Sequence, residues 1–117
     1  MLQREWEKFV NRCVWSWAGW LFCWRKEPSL QFWFYINLVS ASIAMVIDLT
    51  GAERAIILAL GILILAAELM NTGVEKAIDY ISEKDHPLAK IAKDTASGGV
   101  AATAIAAAVA WLVILIG

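Results

Sequence analysis

Four polar side chains recur through an otherwise apolar stretch of the sequence: Glu68, Asn71, Glu75 and Asp79. Successive residues of an α-helix turn by about 100°, so these four fall within about 80° of one another and form a single stripe. Carboxylates with an amide oxygen are hard ligands suited to Mg2+, which usually keeps several waters and bridges to nucleotide phosphates. A Lys-Asp pair, Lys93 and Asp94, follows at the mouth of a later apolar run. Lys93 could neutralise phosphate charge, and a partly buried Glu68 could take a proton from an alcohol. These are the parts of a phosphoryl transfer site. The same groups could instead hold helices together in a non-catalytic scaffold. A proton or ion carrier would also use a carboxylate row, but these groups gather towards one side of the membrane and no charged residue continues the path across it.

The elements that must position this stripe are membrane helices. The chain has 117 residues, enough for one domain. It is 61% hydrophobic and 18% charged, with a mean hydropathy of +0.64, so its charged side chains are too few to cover a water-facing globule. No charged residue lies between Glu27 and Asp48, and none follows Asp94 to Gly117. Each stretch can cross about 30 Å of hydrocarbon, which takes about 20 helical residues. A third apolar run begins at Ala55, is interrupted by Glu68, and resumes through Leu69, Met70, Val74, Ala77 and Ile78. The expected architecture is all-α: a single membrane-embedded domain over residues 1–117 with spans at about 28–47, 55–80 and 94–116. Glu68 then lies about 20 Å along its helix from Arg54, and about 10 Å or less inside the cytoplasmic edge. A carboxylate at that depth costs a few kcal/mol unless it is paired, protonated or used.

Residues 2–24 predict an amphipathic surface helix, with Trp6, Phe9, Val10, Cys13 and Trp17 at helical spacing and tryptophans at headgroup depth. Gly19 and the Lys26-Glu27-Pro28 run predict the break before the first span, and Pro28 suits a first helical turn. Asp48-Leu-Thr-Gly-Ala-Glu53 predicts a helix stop at Gly51, with acidic residues for the next start. His86 stands alone in a polar connection and reads as a solvated side chain or a cap. Pro87 can open a helical lead-in to the last span. Small residues at every fourth position from Ser97 through Gly98, Gly99, Ala102 and Ala106 predict close helix approach. Arg4, Lys8, Arg12, Arg25 and Lys26 precede the first span, and Lys76, Lys84, Lys90 and Lys93 flank the second connection. This predicts a cytoplasmic N-terminus and second connection, with the C-terminus on the far side. Cys13 and Cys23 are assigned no role, a cleaved signal peptide is not expected, and no phosphate-binding glycine loop is present.

Glu68-Leu-Met-Asn71-Thr-Gly-Val-Glu75, then Asp79, then His86-Pro-Leu-Ala-Lys-Ile-Ala-Lys93-Asp94 resembles the small prokaryotic diacylglycerol kinases, a family that includes the undecaprenol kinases. The resemblance covers most of the chain. It implies an ATP-dependent lipid kinase, a homotrimer of three-span protomers in the bacterial inner membrane, with MgATP as co-substrate and active sites shared between subunits. It implies Glu68 as catalytic base and Asn71 as a polar active-site residue. It also implies Glu27 and Glu75 as metal ligands in the nucleotide site, and Lys93 and Asp94 as nucleotide contacts. Ser16, Trp17 and Gly19 match the family's surface-helix pattern. Diacylglycerol is the expected acceptor, giving a phosphatidate, with undecaprenol the alternative. Two features depart from the diacylglycerol kinase pattern: Leu30-Gln31-Phe32-Trp33 replaces a polar cluster, and Leu21 stands near a usual basic position. The lipid entrance is therefore less polar, and His86-Pro-Leu-Ala-Lys90 is closer to the undecaprenol kinase branch.

Overall fold

Apolar runs punctuated at Pro28, Thr50 and Pro87 fold into four helices and no strand in the computed structural model, which describes residues 1–117. They are α1 (Leu2–Lys26), α2 (Pro28–Val46), α3 (Gly51–Ile81) and α4 (Pro87–Ile116). The last three are each long and apolar enough to cross a membrane, which bears out the all-α, three-span architecture. At 1.5 Å per residue α2 is about 28 Å long and matches the hydrocarbon thickness alone. By the same rise α3 and α4 are about 45 Å long and must project beyond it.

The helix ends follow from local chemistry and correct two expectations. Gly19 does not break α1, which runs on to Lys26. The turn comes at Glu27, extended at φ −117°, because the ring of Pro28 disfavours helix at the residue before it. Gly51 is not a stop but the first residue of α3. Thr50 and Glu53 form a capping box, Glu53 N–H donating to Thr50 Oγ1 at 3.1 Å and Thr50 N–H to Glu53 Oε1 at 2.9 Å, so the helix starts earlier than residue 55. Helix α2 has already ended at Val46, where Arg54 donates to the carbonyls of Ala44 and Ile47. His86 is the cap of α4, its Nδ1 accepting from Leu88 N–H at 3.0 Å. With Pro87 in the first turn, α4 runs unbroken to Ile116, and the last span is the inner part of that longer helix.

Helix α3 is central, packed against α4, α2 and the C-terminal end of α1. The α2 and α4 backbones do not meet, but the Trp111 indole N–H reaches across to Ser40 Oγ at 2.8 Å. Within one chain the small residues of α4 meet no helix at Gly98 and Gly99, where an added Cβ would meet nothing within 4 Å. The close approach is elsewhere: a Cβ at Gly61 in α3 would lie 3.0 Å from Asn37 Oδ1 in α2.

Only 9 of 117 residues are buried, and the radius of gyration is 17.5 Å. A compact chain of this length would have about 13 Å. Large apolar side chains along all three spans stay uncovered, as they must where lipid or another subunit is the neighbour. Residues 2–20 of α1 are all exposed, and the overall dimensions of 48 × 45 × 24 Å fit an α1 that extends away from the three-helix bundle. Trp6 and Phe9 on its apolar stripe lie 5.7 Å apart between ring centroids. At the corner with α2, Trp24 meets Phe34 edge-on at 5.1 Å, and Gln31 Nε2 donates to the Trp24 carbonyl at 2.6 Å.

Candidate active site

Glu68 is only 5% exposed, and the hydroxyl of Ser29 donates to its Oε1 at 2.6 Å. The hairpin register explains the meeting. Ser29 is 17 residues before the end of α2 at Val46, and Glu68 is 17 residues after the start of α3 at Gly51, so an antiparallel pair sets them side by side. Ser29 belongs to the first turn of the shortest span. Glu68 therefore sits level with the polar end of that span, nearer the membrane edge than helix counting from residue 55 indicates, because α3 begins earlier and overshoots. Its second oxygen, Oε2, makes no hydrogen bond and is not sealed from the surface.

One turn further along α3, Asn71 and Thr72 are also buried, and Asn71 Nδ2 donates to Glu75 Oε1 at 3.3 Å. Asn71 Oδ1 has no partner and is the one buried side-chain polar atom left without one. An orphaned acceptor in a low-dielectric setting costs about 1–3 kcal/mol, so it calls for a donor or a cation. Glu27 pairs with Lys76, whose Nζ is 3.3 Å from Glu27 Oε1 and 5.7 Å from the Phe22 ring centroid. No three carboxylate, histidine or cysteine groups converge.

A second cluster lies beyond the bundle end. Lys93 Nζ donates to Asp79 Oδ1 at 2.6 Å, and Lys90 Nζ to Asp94 Oδ2 at 2.5 Å. Both pairs line a cleft of about 620 Å³ between the end of α3 and the start of α4, with Ser82 and His86 on its rim. Asp79 is one turn past Glu75, about 6 Å along the helix, so the polar stripe is continuous from the buried carboxylate to the open cleft. A smaller cleft of about 400 Å³ separates α1 from α3, lined by Ser16, Cys23, Thr72, Gly73 and Lys76 among others. The Ser16 hydroxyl is bonded to the Arg12 carbonyl at 2.8 Å, while Trp17 is 65% exposed and does not line this cleft. Burial, and next the Glu27 carboxylate, push the Cys23 thiol up from its ordinary value, which disfavours the nucleophilic thiolate.

The structure thus brings Glu68, Asn71 and Glu75 into one inner cluster, and Asp79, Lys93 and Asp94 into an outer one. Glu27 stands beside the inner cluster through Lys76. Sequence reasoning missed Ser29, Lys76 and Lys90. Helical phase relates residues on one helix and is blind to partners on another; the short turn between α2 and α3 was the available signal for Ser29.

The description "Prokaryotic diacylglycerol kinase" belongs to the family pattern that matches residues 14–115. The chain belongs to this family. It is 32% identical to a diacylglycerol kinase of Pseudomonas aeruginosa over 95% of this chain and 90% of that protein. It is equally identical, 32%, to an undecaprenol kinase of Bacillus subtilis over 98% of this chain and 90% of that one. A diacylglycerol kinase of Synechocystis is 28% identical over 92% of this chain and 63% of that longer protein. As a member of the family the chain is a membrane-embedded lipid kinase, a diacylglycerol kinase-type phosphotransferase with a nucleotide as second substrate. Glu75, Glu27 and the orphaned Asn71 oxygen are the hard oxygen donors that Mg2+ prefers, a cation that takes most of its shell from water and phosphate, but they do not form a preassembled cage, since Glu27 is engaged by Lys76 and no three acidic groups converge.

Proposed function

We propose that this chain transfers the γ-phosphoryl group of ATP to the hydroxyl of diacylglycerol at the cytoplasmic face of the bacterial inner membrane, giving a phosphatidate. The observation that carries the reading is Glu68, a nearly buried carboxylate at the polar end of a membrane span with one oxygen free. A lipid hydroxyl arriving within the bilayer and a nucleotide arriving from water can meet only at such a depth. Glu68 accepts the hydroxyl proton, the lipid oxygen forms the new P–O bond, and the bond between the γ-phosphorus and its bridging oxygen breaks as ADP leaves. Asn71 orients the reacting groups. Glu27 and Glu75 hold the Mg2+ that accompanies the nucleotide and supplies charge neutralisation. Lys93 and Asp94 contact the nucleotide, exchanging their present partners Asp79 and Lys90 for it. Asp79 and Ser16 stand beside this path as secondary contributors, and Trp17 anchors the surface helix.

The uncovered glycine face of α4 and the small number of buried residues support self-association, and the resemblance to the family makes a homotrimer the expected assembly. Undecaprenol is the second acceptor reading, supported by the equal identity to the undecaprenol kinase and by the His86-Pro-Leu-Ala-Lys90 segment. Labelled ATP offered with diacylglycerol, undecaprenol and ceramide in turn tests the acceptor. Diacylglycerol is expected to be phosphorylated fastest, and preference for undecaprenol would transfer the assignment. Glu68→Gln is expected to lower kcat by at least about a hundredfold, the lower end of what a general base contributes. Equal rates for Glu68→Gln and wild type would remove Glu68 from the chemistry.

A further inference from the structure

The Ser29 hydroxyl, in the first turn of α2, is directed to a neighbouring helix. The N-cap of α2 is Glu27, so Ser29, the second helical residue, is not a cap, and its Oγ donates to Glu68 Oε1 at 2.6 Å. Its place is fixed from both sides. Pro28 sets the backbone angle one residue earlier, and the first turn is closed by Leu30 N–H donating to the Glu27 carbonyl at 3.1 Å. Leu30, one residue later, is fully buried and locks the rotation of α2 about its axis. Ser29 itself remains exposed.

We infer that Ser29 is a positioning residue for Glu68: its hydroxyl holds Oε1 and so presents Oε2 to the acceptor hydroxyl. Three observations converge on this. Glu68 has no other hydrogen-bond or ion-pair partner, so without Ser29 its carboxylate would be free to rotate between staggered side-chain conformers. The bond is short and charge-assisted, of the kind that orients a carboxylate strongly. The remaining oxygen is the one that is unpaired and reachable, as a proton acceptor must be. The inference rests on Glu68 being the general base.

The test compares Ser29→Ala, Ser29→Thr and Glu68→Gln, each as the full chain in lipid, by kcat, by KM for ATP and by thermal unfolding. Losing one hydrogen bond to a charged group is expected to lower kcat of Ser29→Ala about tenfold. KM for ATP is expected to stay within about twofold and the unfolding temperature to hold, because Ser29 is exposed and Ala suits a helix. Ser29→Thr retains the hydroxyl and is expected to recover most of the rate. In the Glu68→Gln background, Ser29→Ala is expected to cost nothing further, since the two act as one unit. Wild-type kcat for Ser29→Ala while Glu68→Gln is inactive would overturn the positioning role and leave the base assignment standing. Equal losses for Ser29→Ala and Ser29→Thr would also overturn it, because the hydroxyl would not be what matters. Full activity of Glu68→Gln would remove the base, and with it the reason for positioning.

Discussion

The Glu27–Lys76 ion pair makes a quantitative prediction about metal binding. Lys76 Nζ is 3.3 Å from the Glu27 carboxylate, with the lysine side chain 54% exposed and the glutamate 19% exposed. If Glu27 is to hold Mg2+, the metal must displace or share an oxygen that the ammonium now occupies. An exposed ion pair is worth about 0–1 kcal/mol, and the half-exposed lysine argues against taking more than that range allows. At 1.4 kcal/mol per factor of ten, removing the competitor tightens metal binding by up to about fivefold. Lys76→Met keeps an unbranched side chain and deletes the charge, which now lies 5.7 Å from the Phe22 ring centroid. The assay is the initial rate of lipid phosphorylation against free Mg2+, with ATP and diacylglycerol saturating, so that any change in nucleotide affinity does not enter. The half-saturating Mg2+ concentration is expected to fall by up to about fivefold. A raised value would refute the placement of Glu27 at the metal, since a ligand freed of its counter-ion cannot bind a cation more weakly.

Glu75→Gln removes a carboxylate but keeps an oxygen and the capacity to bond Asn71, and is expected to raise half-saturating Mg2+ about tenfold in the same titration; an unchanged metal dependence would count against Glu75 as ligand. Thr50→Ala breaks the capping box of α3 and is expected to destabilise the protein by about 1 kcal/mol in a detergent unfolding titration, with kcat unaffected because the cap is at the opposite end from Glu68. The two thiols should separate by reactivity. Cys13 is exposed, whereas Cys23 is buried and pushed up from its ordinary value, so it carries less thiolate as pH rises towards that value. Maleimide at about neutral pH is expected to modify Cys13 first and Cys23 only on unfolding or at alkaline pH; simultaneous labelling would argue against the packing of α1 on α3.

Much of the architecture was legible because the bilayer leaves the chain few choices. Uncharged runs of spanning length can satisfy their backbone only as helices, so α2 and the inner part of α4 follow directly from the positions of Glu27, Asp48 and Asp94. The ends were less legible. Gly51 carries a general signal for stopping a helix, but the reciprocal bonds of Thr50 and Glu53 outweigh it and start one instead. The small-residue face of α4 was visible in the sequence, whereas its neighbour was not, and within one chain it has none at Gly98 and Gly99.

The polar stripe divides in the same way. That Glu68, Asn71, Glu75 and Asp79 share a face follows from 100° per residue on one helix, and no folding of the rest of the chain could separate them. Which groups meet that face depends on how helices distant in sequence are registered. Pairing of α2 with α3 delivers Ser29 to Glu68, the bend at Glu27 delivers its carboxylate to Lys76, and the α3–α4 turn delivers Lys93 to Asp79. Local rotation per residue is written into the chain, but contact between helices depends on the lengths of spans and turns taken together, and only the assembled bundle sets those against one another.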